Sequence, residues 1–424
     1  MQYYFPYDYL EPIEIPDRNL IGVFEAGQGK PAATSEEIVT EALKNPIGAP
    51  PLSKLAGNAY RALILCDDNT RYTPAHLVLP HIIEQLNRGG LTNDRIGILI
   101  ASGTHRLMTE DELIAKLGAS IVGNFTVEQH THDVAEELVP IDITHGDVEF
   151  LINRRLKEAD LVIGVGNIVP HCIKGFSGGS NIVLPGVSGG DAIGAMHWLN
   201  LDQFGEDILG IRDNKVRTLI DEAAAKAGLN YIVNTIVNND MEIIHTVAGN
   251  PYEAHRRGTE IASQVFNVTI PKRADIVIFD AYQNDLDFWQ TTKGLLPAYV
   301  CMKQDAVVID VADCPEGICH NIPDVEHYGF KDQGEIMRLH REKIFHPIVT
   351  HFLISCYRVV TERGRCMMVS NGITKESAEH TGLLYAKTPQ DALDRALEMK
   401  GADASIIVLR HAGNICPVIQ DKAL

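Results

Sequence analysis

Short apolar runs that recur along the chain are the feature that most restricts its fold. Each run is continuous, rich in Ile, Val and Leu, and ends at small or polar residues. Runs of this length are typical of parallel strands buried on both faces of a sheet. They cover residues 62–66, 96–101, 161–165, 276–279, 306–311 and 406–409.

The segments between the runs carry the start and stop signals of helices. A hydroxyl residue precedes three of them as a capping group, and proline or an acidic residue follows at the expected spacing. The start signals are Thr73-Pro74, Thr109 with Glu112, and Thr388-Pro389, and the stop signals are Gly89-Gly90 and Gly401. Strands that alternate with helices predict an α/β fold.

The length of 424 residues indicates two domains. The strand and helix pattern is interrupted at 265–275, so we place a boundary there. We expect residues 1–270 to form a Rossmann-like, parallel-sheet domain and residues 271–424 to form a smaller α/β domain. The run 406–409 could instead return to the first sheet.

The net charge of −19 is spread along the chain, which argues against a broad nucleic-acid or anionic membrane surface. No apolar run is long enough to span a membrane. The first 19 residues lack the features of a signal peptide, so we expect a cytoplasmic protein whose partner is a small molecule. Its oligomeric state stays open. The eight scattered cysteines indicate reduced thiols, and the single cluster of Cys314, Cys319 and His320 lacks the second half of a zinc site.

Ligands of open α/β sheets bind beyond the carboxyl ends of the strands, so the loops there are the candidate sites. The first run leads into Asp67-Asp68-Asn69-Thr70-Arg71, whose charges indicate ligand binding or, alternatively, an Asx turn with a local Asp–Arg pair. The second run leads into Gly103-Thr104-His105-Arg106. His105 has the right position for an acid/base, although a histidine bonded to a backbone carbonyl is an equal alternative.

The loop after the third run is rich in glycine and contains His171. Its segment Gly175-Phe-Ser177-Gly178-Gly179 predicts a turn whose amides approach an anion such as a phosphate. It matches neither a Walker motif nor the GxGxxG pattern, and a plain flexible loop is the alternative.

Two further positions carry weaker signals. His197 lies near the end of a predicted helix between Met and Trp, where core packing is the commoner role. If Asp287 caps a helix, Gln290 and Lys293 lie three residues apart on one face, which suits a small carboxylate. The alternative is a solvated helix face.

Together these loops resemble the lactate racemase family, whose founding member uses a nickel-pincer nucleotide. The matching elements occur in the family's order across most of the chain. They are the segments 67–71 and 103–106, Pro170-His171 with the turn 175–179, His197, and Gln290 with Lys293.

The resemblance implies a pyridinium mononucleotide that binds nickel through two sulfurs and a ring carbon, with His197 as the protein ligand. Near-planar four-coordinate geometry is one that nickel(II) favours. The resemblance places Asp68, Thr70, Gly175, Ser177, Gly178, Gly179 and Asn181 around this cofactor.

The implied reaction is racemisation or epimerisation at C2 of a 2-hydroxy acid. The carbinol hydrogen leaves as a hydride to the cofactor and returns on the other face. Inversion needs a proton acceptor for each enantiomer, and His105 and His171 match the family's pair. Arg71, Trp289, Gln290 and Lys293 match residues around the substrate. The resemblance also implies that the domain 1–270 binds the cofactor, that the domain 271–424 lies on the substrate side, and that the active site is in the cleft between them.

The sequence departs from the founding member at two of these positions. Asn181 replaces the lysine that tethers the cofactor, and an amide cannot form that link, so we predict a non-covalent cofactor. Trp289 replaces a tyrosine, which indicates an altered substrate pocket. A nicotinamide-dependent oxidoreductase and a non-catalytic carrier of the pincer nucleotide are the competing functions.

Overall fold

The structure is a computed structural model that describes residues 1–201, 203–319 and 322–421. His320, part of the predicted cysteine–histidine cluster, lies outside these residues. The strands are β1 Gln2–Tyr3, β2 Ile13–Glu14, β3 Leu20–Glu25, β4 Ala62–Asp67, β5 Ile96–Ala101, β6 Thr126–Gln129, β7 Leu138–His145, β8 Val148–Asn153, β9 Leu161–Asn167, β10 Pro170–His171, β11 Gly175–Phe176, β12 Leu229–Val237, β13 Ile243–Gly249, β14 Asn267–Lys272, β15 Ala274–Asp280, β16 Met302–Val311, β17 Gly364–Val369, β18 Leu384–Tyr385, β19 Ile406–Arg410 and β20 Cys416–Asp421. The helices are α1 Ser35–Lys44, α2 Leu52–Ala56, α3 Ala75–Arg88, α4 Glu110–Leu117, α5 Ala119–Asn124, α6 Gly190–Leu199, α7 Lys215–Ala227, α8 Pro251–Phe266, α9 Phe288–Cys301, α10 Asp324–Tyr328, α11 Gln333–Arg341, α12 Pro347–Tyr357, α13 Lys375–Thr381 and α14 Pro389–Lys400.

The predicted α/β fold is confirmed, and each predicted apolar run forms a strand. The first sheet has the order β13-β12-β9-β4-β5-β6, and only β13 runs antiparallel to its neighbour. One face of this sheet packs against α1, α2 and α3 in a single hydrophobic cluster. Both faces are covered, because every residue of β4 and β9 is buried.

The first sheet has one topological switch point. The chain leaves β4 towards β5 and β6 on one side, and then returns to place β9 on the other side of β4. In open α/β sheets, ligands bind at such a switch point, beyond the carboxyl ends of the strands. Asp68 follows β4 directly, and Asn167 ends β9.

The second sheet is parallel throughout, with the order β18-β17-β16-β15-β19-β3. The run 406–409 is β19, which lies between β15 and β3 and does not join the first sheet. One face packs against α14 and against apolar side chains of the N-terminal segment, among them Tyr3 and Tyr7.

The chain divides into two compact units. The β4 unit comprises Gln28–Asn200 and Ile211–Val265, and the β15 unit comprises Met1–Gly27, Leu201–Gly210 and Phe266–Leu424. This division differs from the predicted split between residues 270 and 271. The physical reason is the pairing of β3 with β19, which brings the N-terminal segment into the second sheet.

The predicted helix starts agree with the structure in two of three cases. Thr109 and Glu112 form the capping box of α4, and Thr388 caps α14. The prediction for Thr73 is wrong, because α3 begins at Ala75 after Pro74 and the Thr73 hydroxyl donates to Asp67 instead. All eight cysteines are free thiols, as predicted. None of the helices in the described ranges is long and apolar enough to cross a membrane.

Candidate functional site

The loop after β4 contains a tight Asx turn. One oxygen of Asp68, Oδ1, accepts hydrogen bonds from the Thr70 amide (3.1 Å) and hydroxyl (2.6 Å). The other, Oδ2, lies 2.6 Å from Nδ1 of His105, in the loop after β5. The Asx turn predicted as an alternative is present, but its carboxylate pairs with His105 and not with Arg71.

The Asp68–His105 contact keeps Asp68 ionised and fixes which ring nitrogen of a neutral His105 holds the hydrogen. Burial alone would raise the pKa of the Asp68 carboxyl, but His105, Arg71 and Thr70 outweigh burial and hold that pKa below its ordinary value. An ionised carboxylate only accepts hydrogen bonds, so Nδ1 of His105 donates. The lone pair of a neutral His105 ring is therefore on Nε2, the tautomer that a general base requires.

A buried ion pair holds the start of the same loop. Lys116 of α4 lies 2.9 Å from Asp67 Oδ1 and also donates to the Arg71 carbonyl at 2.8 Å. Burial raises the pKa of Asp67, whereas Lys116 and the Thr73 hydroxyl act in the opposite direction. The sequence did not indicate Lys116, because nothing in the pattern of α4 distinguishes it from a solvated lysine.

Arg71 closes the turn that begins at Asp68, and its amide donates to the Asp68 carbonyl at 3.2 Å. Its Nη1 donates to the Thr70 carbonyl (3.1 Å) and hydroxyl (2.7 Å). The Lys116 ammonium donates to the carbonyl of Arg71, so the backbone at Arg71 is also held in place. A guanidinium anchored through one nitrogen still presents donors in the planar fork that matches a carboxylate.

His171 lies in a short hairpin formed by β10 and β11. Its Nδ1 accepts a hydrogen bond from the Ile173 amide at 3.1 Å. Because an amide can only donate, the hydrogen of a neutral His171 ring is on Nε2. His105 and His171 therefore have opposite tautomers in this structure.

The glycine-rich turn is held by bonds within the chain. The amides of Phe176, Ser177 and Gly179 donate to the Lys174 carbonyl, the Val169 carbonyl and Asn234 Oδ1. The predicted use of these three amides for a phosphate is not supported by this geometry. A Cβ at Gly175 would lie 1.9 Å from the Ile211 carbonyl oxygen, so close packing already explains that glycine.

Two buried side chains that the sequence did not single out brace this turn. Arg217 of α7 donates to the carbonyls of Phe176 and Gly178, and His255 of α8 lies 2.9 Å from the Ser177 carbonyl. Burial lowers the pKa of Arg217 to about 10. Arginine and histidine on the buried faces of two later helices give no local signal, so only the structure connects them to the turn.

Asn181 and His197 are the remaining predicted residues of the β4 unit. Asn181 lies in a short 3-10 helix directly after the turn, and its Oδ1 is buried without a hydrogen-bond partner in the described part of the chain. His197 lies in the last turn of α6, as predicted, with 9% of its surface exposed. The described residues contain no group of three or more His, Cys, Asp or Glu placed to hold a metal, so a single-histidine ligand is the case to consider.

The other predicted residues lie on α9 in the β15 unit. Asp287 caps this helix by accepting from the Gln290 amide, as predicted. Trp289 stacks on Phe352 with ring centroids 4.0 Å apart, and Gln290 is buried. Lys293 donates to Asn284 at 3.0 Å. Their assignment to the substrate, like the predicted cleft, stays a prediction.

A buried carboxylate at the end of β15 was not predicted. Asp280 accepts from the His411 amide at 3.0 Å and lies 3.5 Å from the Tyr3 hydroxyl. Burial raises its pKa to about 7, although the bonds from the His411 amide and the nearby Arg410 act against burial. Its position directly after an apolar run was the available signal.

Comparisons with known proteins agree with this architecture. A family model for the lactate racemase N-terminal domain matches residues 8–207, and one for the lactate racemase C-terminal domain matches residues 269–415. Lactate racemase of Thermoanaerobacterium thermosaccharolyticum is 32% identical over 311 residues, 72% of either chain. Lactate racemase of Lactiplantibacillus plantarum is 29% identical over 407 residues, 93% of this chain and 94% of that protein.

Solved structures give the same result for the fold. The lactate racemase apoprotein of Thermoanaerobacterium thermosaccharolyticum superimposes with a TM-score of 0.88 and 26% identity, covering 99% of this chain and all of that one. A Thermotoga maritima protein superimposes with a TM-score of 0.74 and 20% identity, covering 92% of this chain and 99% of that one. The second match shows a shared fold only.

Proposed function

This chain belongs to the lactate racemase family, and we propose that it inverts the C2 carbinol of a 2-hydroxy acid with His105 and His171 as acid/bases. Its relatives establish it as a racemase, an isomerase. The observation that carries the finer proposal is the 2.6 Å contact between Asp68 Oδ2 and His105 Nδ1 at the switch point of the first sheet.

His105 is proposed as the base for one enantiomer. The carboxylate of Asp68 fixes the ring orientation, keeps the Nε2 lone pair for the substrate hydroxyl and stabilises the imidazolium that forms. In other acid/base sites a carboxylate orients a histidine and stabilises its imidazolium in the same way. The proton moves from the substrate hydroxyl to Nε2 while Nδ1 stays bonded to Asp68.

His171 is proposed as the acid/base for the other enantiomer. In the structure the Ile173 amide donates to Nδ1 of its ring, so protonation of Nδ1 would displace that amide. Because the two rings have different neighbours, the two directions of the reaction would differ in kcat and in KM. They would not differ in kcat/KM when the products are enantiomers, since their equilibrium constant is one.

Arg71 is proposed to bind the substrate carboxylate. Its anchored guanidinium provides planar, paired donors, and the electrostatic attraction is local despite the net charge of −19. A carboxylate held there would leave the neighbouring hydroxyl near the Asp68–His105 pair, because Arg71 and Asp68 belong to the same turn.

The cofactor that the family resemblance implies is a nickel-pincer nucleotide, with His197 as the proposed protein ligand. The buried, unpartnered Oδ1 of Asn181 in the described structure fits a polar group bound beside the turn. When bound, the cofactor would supply the acceptor for the carbinol hydride. Asn181 cannot form the covalent link of the founding member, so we propose non-covalent binding.

The experiment is a racemisation assay on protein produced together with the cofactor-making enzymes. Single enantiomers of lactate, of an aromatic 2-hydroxy acid and of a sugar acid are supplied separately, and chiral chromatography follows each product. We expect inversion of at least one acid and a 1:1 end point for simple enantiomers. His105→Asn and His171→Asn should each abolish inversion.

The controls separate this reaction from the competing ones. Added NAD should not be reduced, since the chain lacks a GxGxxG motif. Inversion of no hydroxy acid by nickel-loaded protein would contradict the proposal. Inversion that survives both histidine substitutions would contradict the assigned roles.

A further inference from the structure

A row of polar side chains crosses the first sheet at its carboxyl edge. The last apolar layer below it consists of one residue from each of four adjacent strands, all in register and in one hydrophobic cluster: Ile100, Cys66, Val165 and Val233. Two positions further along, Asn167 and Thr235 lie on the same face of β9 and β12, and Asp68 and Ser102 are the first residues after β4 and β5. Those residues, here called the polar row, are Ser102, Asp68, Asn167 and Thr235.

Most of the polar row has no hydrogen-bond partner. Within the described residues, the hydroxyls of Ser102 and Thr235 and both polar atoms of Asn167 are buried and unpaired. These three side chains are 1%, 0% and 2% exposed, respectively. The row continues into β13, where Thr246 pairs in register with Thr235 and also has an unpaired buried hydroxyl. Only Asp68 is satisfied, by His105 and Thr70.

Such a row is costly for a folded chain. A buried polar group without a partner has lost its hydrogen bonds to water and gained none in return, so each one destabilises the folded chain. Buried polar groups are almost always paired, so groups that lack a protein partner are paired with ordered water or with a bound molecule. The row also has the right position for a ligand, since Asp68 and Asn167 flank the switch point between β4 and β9.

The chemistry of the row specifies the kind of ligand. Asn167 offers one acceptor and one amide donor, and each hydroxyl can donate and accept. None of these three groups is charged, so an isolated phosphate or carboxylate would be poorly matched. Adjacent hydroxyl groups, each of which donates and accepts, fit this set.

We propose that Ser102, Asn167 and Thr235 bind the vicinal hydroxyls of the ligand at the switch point. The inference rests on the proposed function for the presence of a ligand there. Vicinal hydroxyls could come from the ribose of a mononucleotide or from the chain of a polyhydroxy 2-hydroxy acid. The two sources are distinguished by the probes below.

The test uses the ligand-free chain and substitutions that replace polar groups by apolar ones of similar shape. Thr235→Val and Asn167→Leu should raise Tm by about 2 °C, because unpaired groups are removed. The same variants should bind the probe at least about tenfold more weakly. A purely structural role, such as a buried bridging water, predicts the opposite sign for Tm.

Tyr231→Phe is the matched control. Tyr231 lies on β12 with Thr235, is fully buried, and has an unpaired hydroxyl in the described structure, but it is outside the polar row. Its substitution should raise Tm in the same way and leave probe binding unchanged.

The probes are nicotinic acid mononucleotide and D-gluconate, measured by isothermal titration calorimetry. Weaker binding of the mononucleotide alone assigns the row to ribose, and weaker binding of gluconate alone assigns it to the substrate. The inference is overturned if a row variant lowers Tm, if its binding is unchanged, or if neither probe binds the wild-type chain. If the binding results are as expected but no hydroxy acid is racemised, only the proposed function is overturned.

Discussion

Nδ1 of His105 lies 2.6 Å from Oδ2 of Asp68, so a hydrogen bond joins the loop after β5 to the loop after β4. The contact exists because β4 and β5 are parallel neighbours whose carboxyl ends meet at one edge of the sheet. Asp68 is itself fixed by Thr70, so the imidazole is held by a carboxylate that cannot rotate away.

Asp68→Asn should lower kcat by about 10²-fold or more. An amide can present its NH2 group to Nδ1, which would place the ring hydrogen on Nε2 and remove the base. Steady-state kinetics of cofactor-loaded protein would measure the effect. Asp94→Asn, at an exposed carboxylate, is the control. Unchanged kcat in the Asp68 variant would show that His105 does not depend on this carboxylate.

Lys116→Met should destabilise the protein by about 3–5 kcal/mol, because it leaves the Asp67 carboxylate buried without its cation. Urea unfolding followed by circular dichroism would measure the loss. The double variant Lys116→Met with Asp67→Asn should recover much of it, since no buried charge remains. Equal destabilisation of the single and double variants would show that the loss does not come from an unpaired carboxylate at Asp67.

Half of the strands in the two large sheets could be predicted, because a continuous apolar run is a local property of the sequence; they are β4, β5, β9, β15, β16 and β19. Continuous apolar runs can only be buried on both faces, and capping residues mark helix ends within four positions. The domain division could not be predicted in the same way. It depends on the pairing of β3 with β19, whose residues are almost the whole chain apart and carry no local signal of each other.

The side-chain contacts of the candidate site also depend on residues that are far apart along the chain, so they could not be predicted. The motifs identified the loops that carry Asp68 and His105, but composition allowed Asp68 to pair with Arg71 just as well. The glycine-rich pattern predicted amides free to bind an anion. In the structure, Asn234 and two backbone carbonyls accept hydrogen bonds from three of these amides. These partners come from strands and loops brought together by folding, so spacing along the chain does not reveal them.

Asn181 leads to a prediction about the mass of the loaded protein. Under denaturing conditions, intact-protein mass spectrometry should give the mass of the bare chain, because an amide cannot hold the cofactor covalently. Under native conditions the same sample should retain the cofactor mass and nickel. Asn181→Lys, which restores the founding member's residue, should retain some cofactor after denaturation. Persistent cofactor mass on the denatured wild-type chain would contradict the prediction.

Asp280 should make stability depend on pH between about 4 and 7. Burial raises its pKa to about 7, against an ordinary value of 3.8, so in this interval the folded chain holds a proton that the unfolded chain has lost. The contribution of Asp280 to stability is therefore complete below the lower value and is lost as pH rises to about 7. Asp280→Asn removes this proton uptake, so the variant should gain stability relative to the wild type as pH increases. Thermal unfolding at pH 5, 6, 7 and 8 would measure the difference, with Asp324→Asn at an exposed position as the control. Parallel pH dependences of the wild type and Asp280→Asn would show that this carboxyl is ionised in the folded chain throughout the interval.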